Sequence, residues 1–276
     1  MRLALCLIVV ILLVGCGKQA PQTQSVSKTG PVPTGPTSAE LATLEKKHPD
    51  AFVNSLGMVF KPVLGTEVQF CIWETRVNDY AVYAVANAGV DGGWKKSGFK
   101  QTDTHPVVEV SWEDAGAFCE WLTKKEMAAG KIKAGQKYRL PTDAEWSVAV
   151  GLGQEKGDTP MEKSKGIEGV YPWGKEWPPP KGAGNYSKGL KVDNFEYTAP
   201  VGSFAANKFG LHDMGGNVWE WCEDRYDPTE KVYRVLRGAS WLIDVLPASL
   251  LSSRRFNSSD DRRGDGIGFR CVLTSE

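Results

Sequence analysis

HDMGGNVWEWCEDRY, residues 212–226, sets four carboxylates (Asp213, Glu220, Glu223 and Asp224) around two tryptophans and two adjacent glycines. A solvated loop has no use for the tryptophans, and an apolar core rejects unpaired carboxylates. Something must compensate those charges, and its identity decides how the chain is read. Gly215-Gly216 permits a sharp backbone turn within the stretch.

Outward from this segment the composition is that of a globular domain. Of 276 residues 41% are apolar, and Lys+Arg balance Asp+Glu at 33 each. Such a chain buries a sizeable core, and its balanced charge argues against nucleic acid as a partner, which would favour a basic stripe. All ten tryptophans lie between Trp73 and Trp241, which places the folded mass in one aromatic-rich unit.

The N-terminus is of another kind. One Arg precedes an apolar run, Leu3 to Val14, too short to span a bilayer comfortably; residues 1–15 read as a secretory signal. Leu13-Val14-Gly15-Cys16 resembles the lipobox of bacterial lipoproteins, which implies cleavage before Cys16 and a lipid on its thiol. The acyl chains would anchor the protein to a membrane without a spanning helix, each buried methylene contributing about 0.8 kcal/mol. Residues 16–50 are rich in Pro, Gly, Ser, Thr and Gln at their start and read as a disordered tether, with a short helix around ELATLEKKH; the domain proper runs over 51–276.

Within the domain, MVFKPV and TEVQFCIWETRV predict strands of a hairpin turning at Leu64-Gly65, and NDYAVYAVANAG a helix ending at Gly89. Ser111 and Asp114 form a capping-box pattern ahead of Ala115, Phe118, Cys119 and Leu122, one face of a helix. A second capping box joins Thr142 to Glu145. Residues 151–233 show little periodicity, and RVLRGASW and GFRCVL read as closing strands. An irregular stretch of that length needs metal ions or disulfides to hold it.

Four cysteines remain for an oxidising compartment once Cys6 is removed and Cys16 lipidated: Cys71, Cys119, Cys222 and Cys271. No CxxC occurs, and His48, His105 and His212 are scattered, so a zinc or iron centre has little support.

RLPTDAEW (139–146), APVGSF (199–204), FGLHDMGGNVWEW (209–221), RGASW (237–241) and GFRC (268–271) follow one another in the order found in a single family. The chain resembles the formylglycine-generating enzyme, or sulfatase-modifying factor, family from about Asn54 to Leu273. The resemblance implies an α+β fold: a compact, C-type-lectin-related domain with low regular secondary structure. It also implies two structural calcium ions. One would take the side chains of Asn185 and Asp193 with the carbonyls of Tyr186 and Phe195; the other Asp213, the carbonyls of Gly216 and Val218, and Glu220. Cys119 and Cys271 fall where the family places a disulfide, while Cys71 and Cys222 either pair or remain buried thiols.

The family oxidase grips copper with two cysteines, a soft ligand set that aliphatic residues cannot replace. The corresponding positions hold Ile243 and Ala248, and Val150 stands at one position of the second family disulfide, so no copper is expected. Three readings stay open: a non-catalytic binding or scaffold module, an enzyme of the family with different, non-copper chemistry based on Asp244, Glu223 or Asp224, and a lectin-like carbohydrate binder. Arg255 and Arg263, within 237–270, are candidate groove residues for a peptide or cell-wall fragment, or else surface ion pairs. The expected setting is the bacterial cell envelope, facing periplasm or exterior, with an envelope protein, peptide or glycan as partner.

Overall fold

A computed structural model describes residues 33–242 and 246–274; the signal segment 1–15, Cys16, Ile243 and Asp244 lie outside the described residues. Helix α1 (Ser38–Lys47) comes first, closed by a capping box between Thr37 and Glu40. It does not belong to the tether, as the sequence suggests: Leu41 and Leu44 pack on the core, so the compact unit begins at Pro33 rather than residue 51. Two leucines suffice to dock a helix that is otherwise polar and has no fully buried residue.

Strands β1 (Phe52–Val53), β2 (Val59–Pro62) and β3 (Val68–Cys71) follow, and β2 pairs antiparallel with β3 as the turn at Leu64-Gly65 predicts, with Phe60 opposite Cys71. Helix α2 (Val77–Ala86) lies against α3 (Trp112–Ala128). The Ser111–Asp114 capping box is formed, with Oγ accepting from the Asp114 amide at 3.1 Å and the carboxylate accepting from Ser111 at 2.9 Å. The predicted face of α3 is the buried one: Ala115, Phe118, Cys119 and Leu122. Strand β4 (Tyr138–Arg139) leads to α4 (Asp143–Val150), started by the Thr142–Glu145 box and ended by Gly151 at φ 93°.

From Gly151 to Val218 regular structure is confined, among the described residues, to helix α5 (Pro160–Lys163) and a single 3-10 turn over Lys188–Leu190. Then come β5 (Trp219–Arg225), β6 (Tyr233–Arg237), β7 (Phe256–Ser259), β8 (Ile267–Gly268) and β9 (Val272–Thr274). One sheet runs β1-β2-β3-β9-β4, entirely antiparallel; the other runs β7-β6-β5-β8, with β5 and β8 parallel.

The second half of the opening motif, Trp219–Arg225, is thus a strand, where composition suggests an irregular segment. Alternation of polar and apolar residues is missing because both faces of β5 are covered. Trp219 and Trp221 enter the larger apolar cluster, with Phe118, Phe269 and Leu250. Cys222 points to the opposite cluster, with Trp146, Val235 and Val272. Glu220, on that same side, carries a charge into the interior.

Candidate functional site

Each carboxylate of the motif has its own answer. Glu220 is fully buried and meets Arg270, from the β8–β9 connection, through both oxygens at 2.6 and 2.7 Å. Trp146 Nε1 donates to it at 3.0 Å. Arg270, itself fully buried, also donates to the carbonyls of Cys71, His212 and Asp213 at 3.0–3.3 Å. Burial opposes the guanidinium charge, but Glu220 outweighs it and holds the arginine pKa above its ordinary value. Asp224 accepts from the Asp143 amide at 2.6 Å, supplying a negative charge at the start of α4. Glu223 is exposed. Asp213 accepts from the Gly202 amide at 2.6 Å and carries no ion pair among the described residues.

The resemblance places a second ion between Asp213 and Glu220; Glu220 is paired here with Arg270, while Asp213 accepts from the Gly202 amide. Between them the chain turns sharply, with Gly216 at φ 84° and Asn217 at φ 58°. A Cβ at Gly216 would fall well under 3 Å from the Asn185 carbonyl oxygen.

The first set fits a cation. Asn185 is 1% exposed, and its Oδ1 has no hydrogen-bond partner while its Nδ2 donates to the Tyr197 carbonyl at 2.8 Å. Asp193 folds back to accept from the amides of Tyr186 (3.0 Å) and Phe195 (2.8 Å), so all four expected residues lie on one tight loop. A buried acceptor oxygen without a donor is costly unless something electropositive sits against it.

Glu74 was missed by sequence reasoning because it sits in the strand-like run WETRV. It is fully buried; one oxygen accepts weakly from Asn217 Nδ2 at 3.4 Å and the other has no partner. Burial first, and then Asp213, push its pKa well above the usual carboxylate range. Asp213 is raised for the same first reason. Asn217 joins these parts, linking Asn185, Glu74 and Ala199 through its amide.

Asp213 lines a cleft of about 360 Å³ with Trp173, Lys181, Phe204 and Gly215.

Arg255 is not a groove residue. It is 1% exposed and forms ion pairs with Asp143 (2.8 Å) and Glu155, while Arg237 meets Asp143 from the other side and stacks over Trp146 at 4.4 Å. A guanidinium with these partners has no donor left for a ligand. Arg263 is half-buried and tied to Asp114 at 2.8 Å, so the two candidate arginines do not form a fork. Burial alone would raise Asp143, but Arg237 and Arg255 outweigh it and hold its carboxyl below the usual value; Glu155 is lowered in the same way. Groups with depressed native values stabilise the fold above the unfolded carboxylate pKa and lose that contribution as pH falls through the native one. Thermal melts should therefore show Tm falling on acidification below about pH 4, the ordinary carboxylate range. The acid limb should be flatter in Asp143→Asn, on a lower baseline; an identical limb in the variant would remove this network as its cause.

The sulfurs of Cys119 and Cys271, the pair for which the resemblance implies a disulfide, lie 3.5 Å apart in the core, brought together by α3 and the segment leading into β9. Cys71, whose amide donates to the Cys271 carbonyl, lies in the same apolar cluster, and Cys222 in the other. Burial pushes the Cys71 thiol up to about 12, and Cys222 and Cys271 well above the usual value. Ala248 is exposed.

Fold and site together define a class: a mixed helix-and-sheet domain whose long loops are fixed by buried ion pairs and asparagine networks rather than by ladders. Residues 17–275 match the sulfatase-modifying factor enzyme 1-like domain, and the chain belongs to that family. It is 38% identical over 188 residues to the inactive C-alpha-formylglycine-generating enzyme 2 of Mus musculus, covering 65% of this chain and 52% of that one. To the formylglycine-generating enzyme of Thermomonospora curvata it is 34% identical over 176 residues, 60% of this chain and 45% of that one. The chain spans about half the length of the curated relatives it matches. Among solved structures, PvdO from Pseudomonas aeruginosa aligns with a TM-score of 0.54 at 22% identity, over 75% of this chain and 80% of the other. CarF aligns at 0.53 and 22%, over 82% and 97%. These likenesses show the fold.

Proposed function

We propose that this domain is a non-catalytic binding or scaffold module, tethered to a bacterial envelope through lipid on Cys16 and stabilised by calcium. One observation carries the non-catalytic part. All four described cysteines are sealed in the core at 0–2% exposure, and where the resemblance calls for a surface thiolate the chain presents the exposed methyl of Ala248. A sulfur sealed in an apolar core is a poor ligand and cannot meet a substrate peptide. The name of the mouse relative, an inactive member, supports the same reading. Binding is supported by an aromatic surface: Phe99 and Tyr197 stack at 4.7 Å, both edge-on to Trp241, beside Leu242 at 50% exposure. Peptides and glycans are the ligand classes such a surface suits. Titration of Cu(I) against a competing chelator should show no tight stoichiometric complex with the folded protein; a thiolate complex would overturn the reading.

Calcium fits the first set. The side-chain oxygens of Asn185 and Asp193 and the carbonyl oxygens of Tyr186 and Phe195 would hold it, and the ion supplies a hard positive centre that satisfies the orphaned Asn185 oxygen. An ion bound only by the folded form stabilises it by about 2.7 kcal/mol at a hundred times Kd. Chelation should therefore lower Tm by several degrees, and Asn185→Ala should abolish that response. An unchanged melting curve in the wild type would remove the ion.

A further inference from the structure

Between Lys124 and Tyr138 the chain sets five lysines, at 124, 125, 131, 133 and 137, against a single acid, Glu126. The acid does not offset them at the surface. Glu126 is fully buried, and its carboxylate accepts from the Ser55 amide at 3.2 and 3.3 Å and from the Ser55 hydroxyl. Lys124, Lys131 and Lys137 are exposed and make no ion pair among the described residues. Met127 stands among them at 44% exposure. The negative end of the α3 dipole accounts for Lys125, in its last turn, but not for Lys131 and Lys137, which lie beyond the helix. The chain enters the domain at this same end. Lys131 N donates to the Glu126 carbonyl at 2.9 Å, Glu126 holds Ser55, and a Cβ on Gly35 would lie 3.5 Å from the Ser55 carbonyl oxygen. Gly35 is two residues past Pro33, where the compact unit starts. Sixteen residues, 17–32, join that point to Cys16 and reach at most about 55 Å.

We propose that the Lys124–Lys137 face docks on an anionic lipid surface, with the lysines against the headgroups and Met127 at the interface. The setting rests on the lipid-anchored reading: with lipid on Cys16, this is the end of the domain that the chain holds within reach of the bilayer. Lysines and arginines balance acids over the whole chain, so attraction to an anionic surface has to come from a local patch. Each lysine close to such a surface strengthens partitioning about fivefold. The attraction fades within about 8 Å at physiological salt, so only a face brought close gains from it. The outcome is an orientation: the domain lies with the end of α3 on the membrane rather than tumbling at the limit of its tether.

The test is co-sedimentation of residues 17–276, which contain the whole compact unit and carry no lipid, with vesicles at millimolar lipid and low salt. One set is phosphatidylcholine alone, the other phosphatidylcholine and phosphatidylglycerol in roughly equal parts. Partitioning to the mixed vesicles only is expected, and its loss at about 1 M salt, where screening acts within about 3 Å. Lys124→Glu/Lys131→Glu should keep Tm close to wild type and weaken partitioning by about twenty-five-fold or more, at fivefold for each lysine. Lys175→Glu/Lys181→Glu makes the same change of net charge on exposed lysines of the irregular loop, and should weaken it far less. Equal losses in the two variants, or unaltered partitioning in the first, would overturn the proposal. So would binding without preference for the anionic vesicles, or none to either, which would return the patch to an acidic protein. The tested chain has no acyl group, so the result does not depend on the anchor. Labelling the full chain in bacteria with an alkyne fatty acid, with Cys16→Ser as control, tests that reading separately.

Discussion

Arg270→Met is expected to destabilise the fold by about 3–5 kcal/mol, the cost of stranding a buried partner charge. Glu220 has no exposure to water, so without the guanidinium its charge must either be borne in an apolar cluster or be neutralised by a proton. The substitution also removes donors from the carbonyls of Cys71, His212 and Asp213, which ties β3, β5 and the GFRC segment together. The double variant Glu220→Gln/Arg270→Met should recover a large part of the loss, because an amide can still accept from Trp146 Nε1 and carries no charge. Urea denaturation of the four proteins measures the coupling. Additive losses would mean that the pair is not what compensates Glu220.

Gly216→Ala should be as damaging. At φ 84° an L-residue is strained by roughly 1–2 kcal/mol, and here the new methyl also collides with backbone, the Asn185 carbonyl, which cannot swing away. That carbonyl accepts from the Asn217 amide at 2.7 Å, so any retreat breaks the link between the first ion set and β5. Gly238→Ala provides the contrast. Its φ is 97°, but a Cβ would meet nothing closer than 3.5 Å, so only backbone strain is paid. Soluble yield and Tm should fall far more for Gly216→Ala, with a loss of at least about 3 kcal/mol if it folds. Equal effects at the two glycines would refute the close approach.

What the sequence made legible was local. Both capping boxes, the buried stripe of α3 and the β2–β3 hairpin depend on residues three to ten positions apart, and each is present as read. The strand character of β5 was hidden because a strand covered on both faces carries no alternation. The partner of Glu220 was hidden because Arg270 lies fifty residues away, and nothing in GFRC says which acid it will meet. Arg255 looked like a surface residue in SSRRF for the same reason: Asp143 and Glu155, more than ninety residues earlier, are what draw it inside. The ligand set around Asn185 was supplied by the resemblance; the structure adds the orphaned oxygen.

Every conclusion about activity rests on thiols that fold inward. The most direct measurement is mass spectrometry of a sulfatase-derived cysteine peptide after incubation with the purified domain, Cu(I) and oxygen. Unmodified peptide at long times, with a copper-loaded relative converting the same peptide in parallel, is the predicted result. Conversion of the cysteine to an aldehyde by this domain would contradict the account and require a cysteine pair to leave the core.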